Sequence, residues 1–158
     1  GIVQRHERRT IAYRASAIIV PAGNPKRIRS VDDMARPGVR VGVSVIDCLK
    51  GLWEDITGRL GFMDKIRKNI SYYANGCIAI VEAVADNQVD AAFGWTAFQH
   101  LEPDRIEVVE MPKAQQVLRG TGVGMLSFAK DTDAARKFMD FLTTPEAQAF
   151  YKEFGWIV

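Results

Sequence analysis

The sequence lacks any apolar run of about 18 residues, so we expect no segment that crosses a membrane. It has only two cysteines, Cys48 and Cys77, and their spacing matches neither a zinc site nor a CxxC motif. The net charge of +2 and the short basic stretches at residues 5–9 and 26–29 argue against a nucleic-acid surface, which needs a clustered basic face. The first residues do not form a signal peptide, so an exported protein would carry its signal upstream.

Catalytic constellations are missing as well. His6 and His100 are the only histidines, and neither lies in a motif with a serine or cysteine. There is no GxGxxG motif or P-loop, and the glycine-rich residues 120–124 belong to a strand-like run without a following Lys-Ser/Thr. We therefore predict no catalytic residue, no metal site and no cofactor, and expect that the protein is not an enzyme.

With 158 residues, 47% of them hydrophobic, the chain can form one domain or two small lobes. Strands and helices alternate between residues 37 and 111, which predicts an α/β unit with a parallel sheet. The predicted strands are 11–20, 39–43, 70–74, 89–93, 106–111 and 120–129, and the predicted helices are 31–36, 48–60, 78–85, 133–142 and 145–154.

Helix ends carry recognisable caps. Ser30 and Asp33 have the spacing of a capping box, and Thr144 precedes Pro145 as an N-cap precedes the first helical position. The last two helices have apolar faces that require a partner surface. These faces contain Phe138, Phe141, Leu142, Phe150, Tyr151 and Phe154.

The best candidates for binding are strand-to-helix corners. In a parallel α/β sheet, ligands bind beyond the carboxyl ends of the strands, where helix starts offer unpaired N–H groups and partial positive charge. Three such corners occur, at residues 44–50, 75–78 and 94–97, and we expect them to bind an anion together. Ser44, Asn75 and Gly76 are candidate ligand residues, although Asn75 could simply cap its helix and Gly76 simply permit the turn.

Four stretches carry a resemblance to a known family. In order they are IIVPAGNPKRIRSVDDMARPGVRVGV, the helix ending in RLG, IVEAVADNQVDAAFGWTAF, and FMDFLTTPEAQAFYKEFGW. From about residue 11 onward the chain resembles type II periplasmic solute-binding proteins of ABC importers and is most similar to the molybdate-binding proteins. The resemblance implies a type II α/β fold, with one nearly complete three-layer lobe plus the hinge strands and C-terminal helices of the other. It implies boundaries of 1–20, 21–118 and 119–158.

The same resemblance implies a function and further site residues. The protein would be the extracytoplasmic binding component of an ABC importer. It would hold a small oxyanion such as molybdate or tungstate by backbone N–H groups at helix starts, and it would deliver this ligand to a membrane permease. Cys77 falls at one helix start, Cys48 and Leu49 lie near another, and Trp95 takes the place of a tyrosine whose hydroxyl contacts the ligand. The expected location is periplasmic or extracellular, and a lipid anchor is compatible with it.

The sequence departs from the family in one large feature. The initial stretch of the first lobe is absent, so we expect a fragment or one part of a two-piece assembly, with self-association through the uncovered terminal helices. An alternative function is the ligand-sensing domain of a transcriptional regulator, which shares the lobe architecture. The cysteines leave three alternatives open, namely inert apolar residues, a disulfide across two corners, or contacts to the ligand or a soft metal.

Overall fold

A computed structural model describes residues 2–158, apart from the side chain of Arg5, which belongs to the basic stretch at residues 5–9. The chain forms two compact units. The central unit is Ser16–Val117, and the terminal unit combines the chain up to Ala15 with Leu118–Val158. The long strand β1 (Val3–Pro21) contributes to both units. Within the described residues, no helix has both the length and the apolar character needed to cross a bilayer.

The central unit contains a mixed sheet. Its other strands are β2 (Val41–Ser44), β3 (Ile70–Ala74), β4 (Ala91–Trp95) and β5 (Ile106–Glu110). The order is β3-β2-β4-β1-β5, with β2 parallel to β3 and β4 and with β1 antiparallel to β4 and β5. Within residues 37–111, the predicted parallel pairing is therefore correct for β2, β3 and β4. Strand β5 instead pairs with β1, which lies outside that predicted unit and runs antiparallel to it.

Helices cover this sheet on both faces. Every residue of β2 and β4 is buried, which requires packing partners on each side of the sheet. The helices are α1 (Val31–Met34), α2 (Leu52–Leu60), α3 (Met63–Asn69) and α4 (Cys77–Ala85). Short 3₁₀ turns lie at Asp47–Leu49, Thr96–His100 and Lys113–Gln115.

Local signals succeed at several boundaries. The strand prediction for residues 70–74 is confirmed, and the Asp33 N–H donates to Ser30 Oγ at 3.2 Å as the capping box requires. The predicted helix at 48–60 is wrong in its first part, because Gly51 has a φ of 72° and separates a 3₁₀ turn from α2. Such a left-handed conformation costs glycine little and interrupts any helix that reaches it.

The terminal unit pairs the first part of β1 with β6 (Leu118–Leu126) in antiparallel register, and adds α5 (Thr132–Phe141) and α6 (Pro145–Glu153). Tyr13 of β1 and Ile157, which follows α6, exchange two backbone hydrogen bonds of 2.7 and 2.9 Å. The predicted cap of α6 is confirmed, since Thr144 Oγ1 accepts from the Ala147 N–H at 3.3 Å. Self-association remains a prediction, which is supported by four exposed side chains, Phe138, Phe141, Phe150 and Phe154.

Candidate functional site

Three strand ends define one edge of the central sheet. The parallel strands β2, β3 and β4 finish at Ser44, Ala74 and Trp95, and Ser44 is the register partner of Ala74. Because parallel strands place their carboxyl ends at the same edge of a sheet, the three segments that follow β2, β3 and β4 begin next to one another. The three corners predicted from the sequence therefore follow neighbouring strands.

A disulfide joins two of these corners. Cys48 lies in the 3₁₀ turn after β2, and Cys77 is the first residue of α4 after β3. Their Cα atoms are 7.0 Å apart, at the upper limit that a disulfide spans. Of the three alternatives for the cysteines, the structure has the disulfide, which leaves neither sulfur as a thiolate for a soft metal.

The third corner meets the disulfide through Trp95. Its indole N–H donates to Cys48 Sγ at 3.3 Å, and the side chain is 0% exposed. In this arrangement the predicted donor faces a sulfur inside the unit. Trp95 thus supports the loop that contains Cys48 from inside the unit.

The start of α4 differs from the simplest sequence interpretation. Gly76, not Asn75, is the N-cap residue, so the expected cap by the Asn75 side chain is wrong. Gly76 has φ 109° and ψ −179°, a backbone conformation open essentially to glycine alone. A glycine cap offers no side-chain acceptor, so the first N–H groups of α4 depend on other partners. Asn75 is exposed beside them.

Asp47 is a site residue that sequence reasoning missed. It is exposed, has a φ of 54°, and its Oδ2 would lie 3.0 Å from a Cβ added at Gly76. This carboxylate therefore approaches the start of α4, where negative charge is stabilised by the helix dipole. The available signal was a carboxylate directly before Cys48 in a corner already assigned to ligand binding.

Ser44 and Leu49 contribute differently from the exposed residues. Ser44 is buried, and its hydroxyl lies 3.5 Å from the Ile46 carbonyl oxygen. Leu49 is buried in the core, so its side chain packs the interior and does not face a ligand. Apolar side chains lie in the same corners and are exposed to solvent, namely Val45, Ile46 and Ile78.

A partly buried ion pair of the central unit lies at the starts of the strands, opposite their carboxyl ends. Arg40 and Asp90 precede β2 and β4, and a guanidinium N–H of Arg40 donates to Asp90 Oδ1 at 2.8 Å while its backbone N–H donates to Oδ2 at 2.8 Å. Burial alone raises the pKa of Asp90, but these hydrogen bonds from Arg40 outweigh it and hold the pKa below the usual range. This pair stabilises strand starts and is separate from the candidate site.

Two cavities are lined by residues outside the candidate set. A cavity of about 460 Å³ lies in the terminal unit beside Arg8, Arg9 and the glycines of β6. In the central unit, one of about 420 Å³ lies beside His100 and Glu107. Over residues 2–158, no three His, Cys, Asp or Glu side chains form a group that could hold a metal ion.

Comparisons with known proteins give a consistent picture. A family model described as bacterial extracellular solute-binding protein matches residues 1–157. The chain is 24% identical over 145 residues to the molybdate-binding protein ModA of Mycobacterium bovis, covering 92% of this chain and 54% of that protein. It is 27% identical over 161 residues to a sulfate-binding protein of Synechococcus elongatus, covering 89% of this chain and 45% of that protein. The chain thus spans about half the length of these curated relatives.

The fold also matches solved structures. The periplasmic molybdate-binding protein of Azotobacter vinelandii superposes with a TM-score of 0.82 at 19% identity, covering 100% of this chain and 71% of that one. At this identity the likeness concerns the fold alone. It confirms the predicted fold class, the α/β architecture of type II periplasmic binding proteins.

Proposed function

Because this chain belongs to the family of bacterial extracellular solute-binding proteins, we propose that it is the extracytoplasmic binding component of an ABC importer. Its ligand is a small oxyanion of the molybdate, tungstate or sulfate type. Backbone N–H groups at the helix starts of the central unit bind this anion, and a membrane permease receives it.

The observation that carries this proposal is the meeting of three strand ends at one edge. The starts of the 3₁₀ turn Asp47–Leu49 and of α4 are held together there by the disulfide, and the end of β4 joins them through Trp95. Helix starts present N–H donors and partial positive charge, which suits an oxyanion without requiring an arginine. The candidate residues are Ser44, Cys48, Leu49, Asn75, Gly76, Cys77 and Trp95, with Asp47 added from the structure.

The roles of these residues divide into two classes. Cys77 and the residues after it offer backbone N–H groups at the start of α4, and Gly76 keeps this approach free of a side chain. Trp95 and Leu49 are buried and act by positioning the backbone. This division explains why the sequence has no side-chain signature for the ligand.

Two further observations support the proposal. The curated relatives are named for binding molybdate and sulfate, which are both tetrahedral oxyanions. The disulfide favours an oxidising compartment, as expected for a protein outside the cytoplasm.

A thermal-shift assay combined with native mass spectrometry tests the proposal. The protein is exchanged into an anion-poor buffer and offered molybdate, tungstate, sulfate or phosphate, with chloride as the control. A bound anion adds its mass and, at a hundred times its Kd, stabilises the fold by about 2.7 kcal/mol. If none of the four changes the mass or the melting temperature, the oxyanion proposal is wrong.

A further inference from the structure

We propose that the Cys48–Cys77 disulfide is a positioning element of the oxyanion site, so that ligand affinity depends on whether this pair is oxidised. The inference rests on the proposed function, because it concerns the same helix starts. It assigns the two cysteines a regulatory role that their half-buried side chains permit.

The backbone next to each cysteine explains why a covalent link matters here. Asp47 precedes Cys48 with a φ of 54°, and Gly76 precedes Cys77 with a φ of 109°. Both cysteines therefore follow residues in left-handed conformations, which the chain adopts at a cost for aspartate and with wide freedom for glycine. These are the positions where each turn can relax once the link is broken.

Side-chain caps do not replace the link. The N-cap of the 3₁₀ turn is Ile46, which makes no side-chain capping bond, and the N-cap of α4 is Gly76. The disulfide is thus the covalent constraint between the two helix starts. Breaking it lets them move apart, and an anion that needs N–H donors from both then loses part of its binding site.

The pair has the chemical setting of a reversible switch. Cys48 and Cys77 are the only cysteines of the chain, so no third thiol can divert the exchange. The thiolate of an external dithiol attacks one cysteine sulfur, forms a mixed disulfide with it and releases the other cysteine as a thiolate. The second thiol of the reagent then attacks the reagent sulfur of this mixed disulfide and releases the remaining cysteine. The protein disulfide gains two electrons and two protons, while the dithiol is oxidised to its own disulfide. Disulfide exchange with an oxidised thiol reverses the reaction.

Trp95 provides a direct readout. Its indole N–H is 3.3 Å from Cys48 Sγ, and a disulfide at such a distance quenches indole fluorescence by accepting an electron from the excited ring. Reduction should therefore raise the emission of Trp95. The Trp95→Phe variant removes this signal and leaves Trp53 and Trp156 as the internal background.

The experiment compares the oxidised protein with protein reduced by dithiothreitol and desalted under nitrogen. Molybdate, tungstate, sulfate and phosphate are titrated into both forms by calorimetry, with far-UV circular dichroism to verify the fold and Trp95 emission to verify reduction. We expect the anion that binds the oxidised form to bind the reduced form at least tenfold more weakly, with recovery after oxidised glutathione. The C48S/C77S variant should match the reduced form and show no redox response.

Each other result overturns the inference. Equal or higher affinity in the reduced form removes the positioning role but leaves the proposed function in place. A loss of circular dichroism on reduction shows global unfolding, not a local effect at the site. If no anion binds either form, the proposed function fails together with the inference. Should the double variant not fold, the comparison of reduced and reoxidised wild-type protein still decides.

Discussion

The indole N–H of Trp95 points at Cys48 Sγ across 3.3 Å, which connects the end of β4 to the turn after β2. A fully buried indole with its donor satisfied in this way acts on the site by supporting the loop. It is therefore a positioning residue in our interpretation, although the sequence suggested a direct ligand contact.

Trp95→Phe should separate these two roles. Removing the indole leaves a gap and deletes the hydrogen bond to sulfur, so we expect a loss of about 1–3 kcal/mol in the free energy of unfolding. Oxyanion affinity should change by less than about threefold, because backbone groups make the contacts. Urea unfolding and calorimetry measure the two quantities. Unchanged stability with abolished binding would instead show that the indole touches the ligand.

Gly76→Ala should damage both stability and binding. The added Cβ would lie 3.0 Å from Asp47 Oδ2, and the φ of 109° is unfavourable for alanine. We therefore expect a decrease of about 1–3 kcal/mol in the free energy of unfolding, together with weaker oxyanion binding. Gly61→Ala is the matched control, since its φ is 73° and no atom lies within 4 Å of the new Cβ. The control should cost about 1 kcal/mol and leave binding intact. Equal ligand affinities in the two variants would contradict a role for Gly76 in the site.

Asp47→Asn should increase oxyanion affinity. Asp47 Oδ2 approaches the start of α4, where an anionic ligand would meet a like charge. Two unit charges about 4 Å apart in water repel by about 1 kcal/mol, so neutralisation predicts a gain of about fivefold, smaller at high salt. Calorimetry at low and high ionic strength measures this effect. Asp64→Asn, a first-turn carboxylate of α3, is the control and should have no effect.

Asp90→Asn should lower the free energy of unfolding at neutral pH more than in acid, without changing the ligand affinity. The pKa of Asp90 is lowered in the folded protein, so its stabilisation is present above the unfolded pKa of about 3.9 and disappears as the pH falls further. At pH 7 we expect the variant to lose about 1–2 kcal/mol in the free energy of unfolding. The loss stays this small because solvent around the half-exposed Arg40 screens the ion pair. Urea unfolding between pH 7 and 3 should show the wild-type advantage shrinking toward the acidic end.

A surface pair provides the comparison for that variant. Asp86 and Arg105 form an ion pair in which both side chains are about half exposed. Asp86→Asn should change the free energy of unfolding by less than about 1 kcal/mol, because water and salt screen such pairs. If both variants lost the same stability, burial would not be the reason for the effect at Asp90.

The sequence was a good guide wherever a local chemical signal fixes the structure. The cap by Ser30, the strand Ile70–Ala74 and the start of α6 at Pro145 are all confirmed. The resemblance to periplasmic solute-binding proteins is confirmed by the family match, and this family consists of non-enzymatic binding proteins. The four stretches quoted from the sequence were sufficient to recognise the family, because they occur along the chain in the same order as the family's helices and strands.

Tertiary relationships were harder to predict. Helix α3 was missed because it is short and buries only Ile66. The charged start of β1 does not look like a strand, but it pairs with β6, and such pairing depends on residues more than a hundred positions away. The Cys48–Cys77 link was one of three alternatives, because nothing in a 29-residue separation reports the distance between two turns.

The division of the chain has a consequence for its synthesis. The central unit is one uninterrupted segment whose ends meet, since the Ser16 N–H donates to the Val117 carbonyl at 2.9 Å and the Val117 N–H donates to Ser16 Oγ at 2.9 Å. A ribosome therefore completes this unit while β1 still lacks its partner β6. At about 5–20 residues per second, the remaining residues 118–158 follow within seconds. Until β6 is made, the part of β1 up to Ala15 lacks its partner strand, whereas residues 16–21 of the same strand can already pair with β4 and β5.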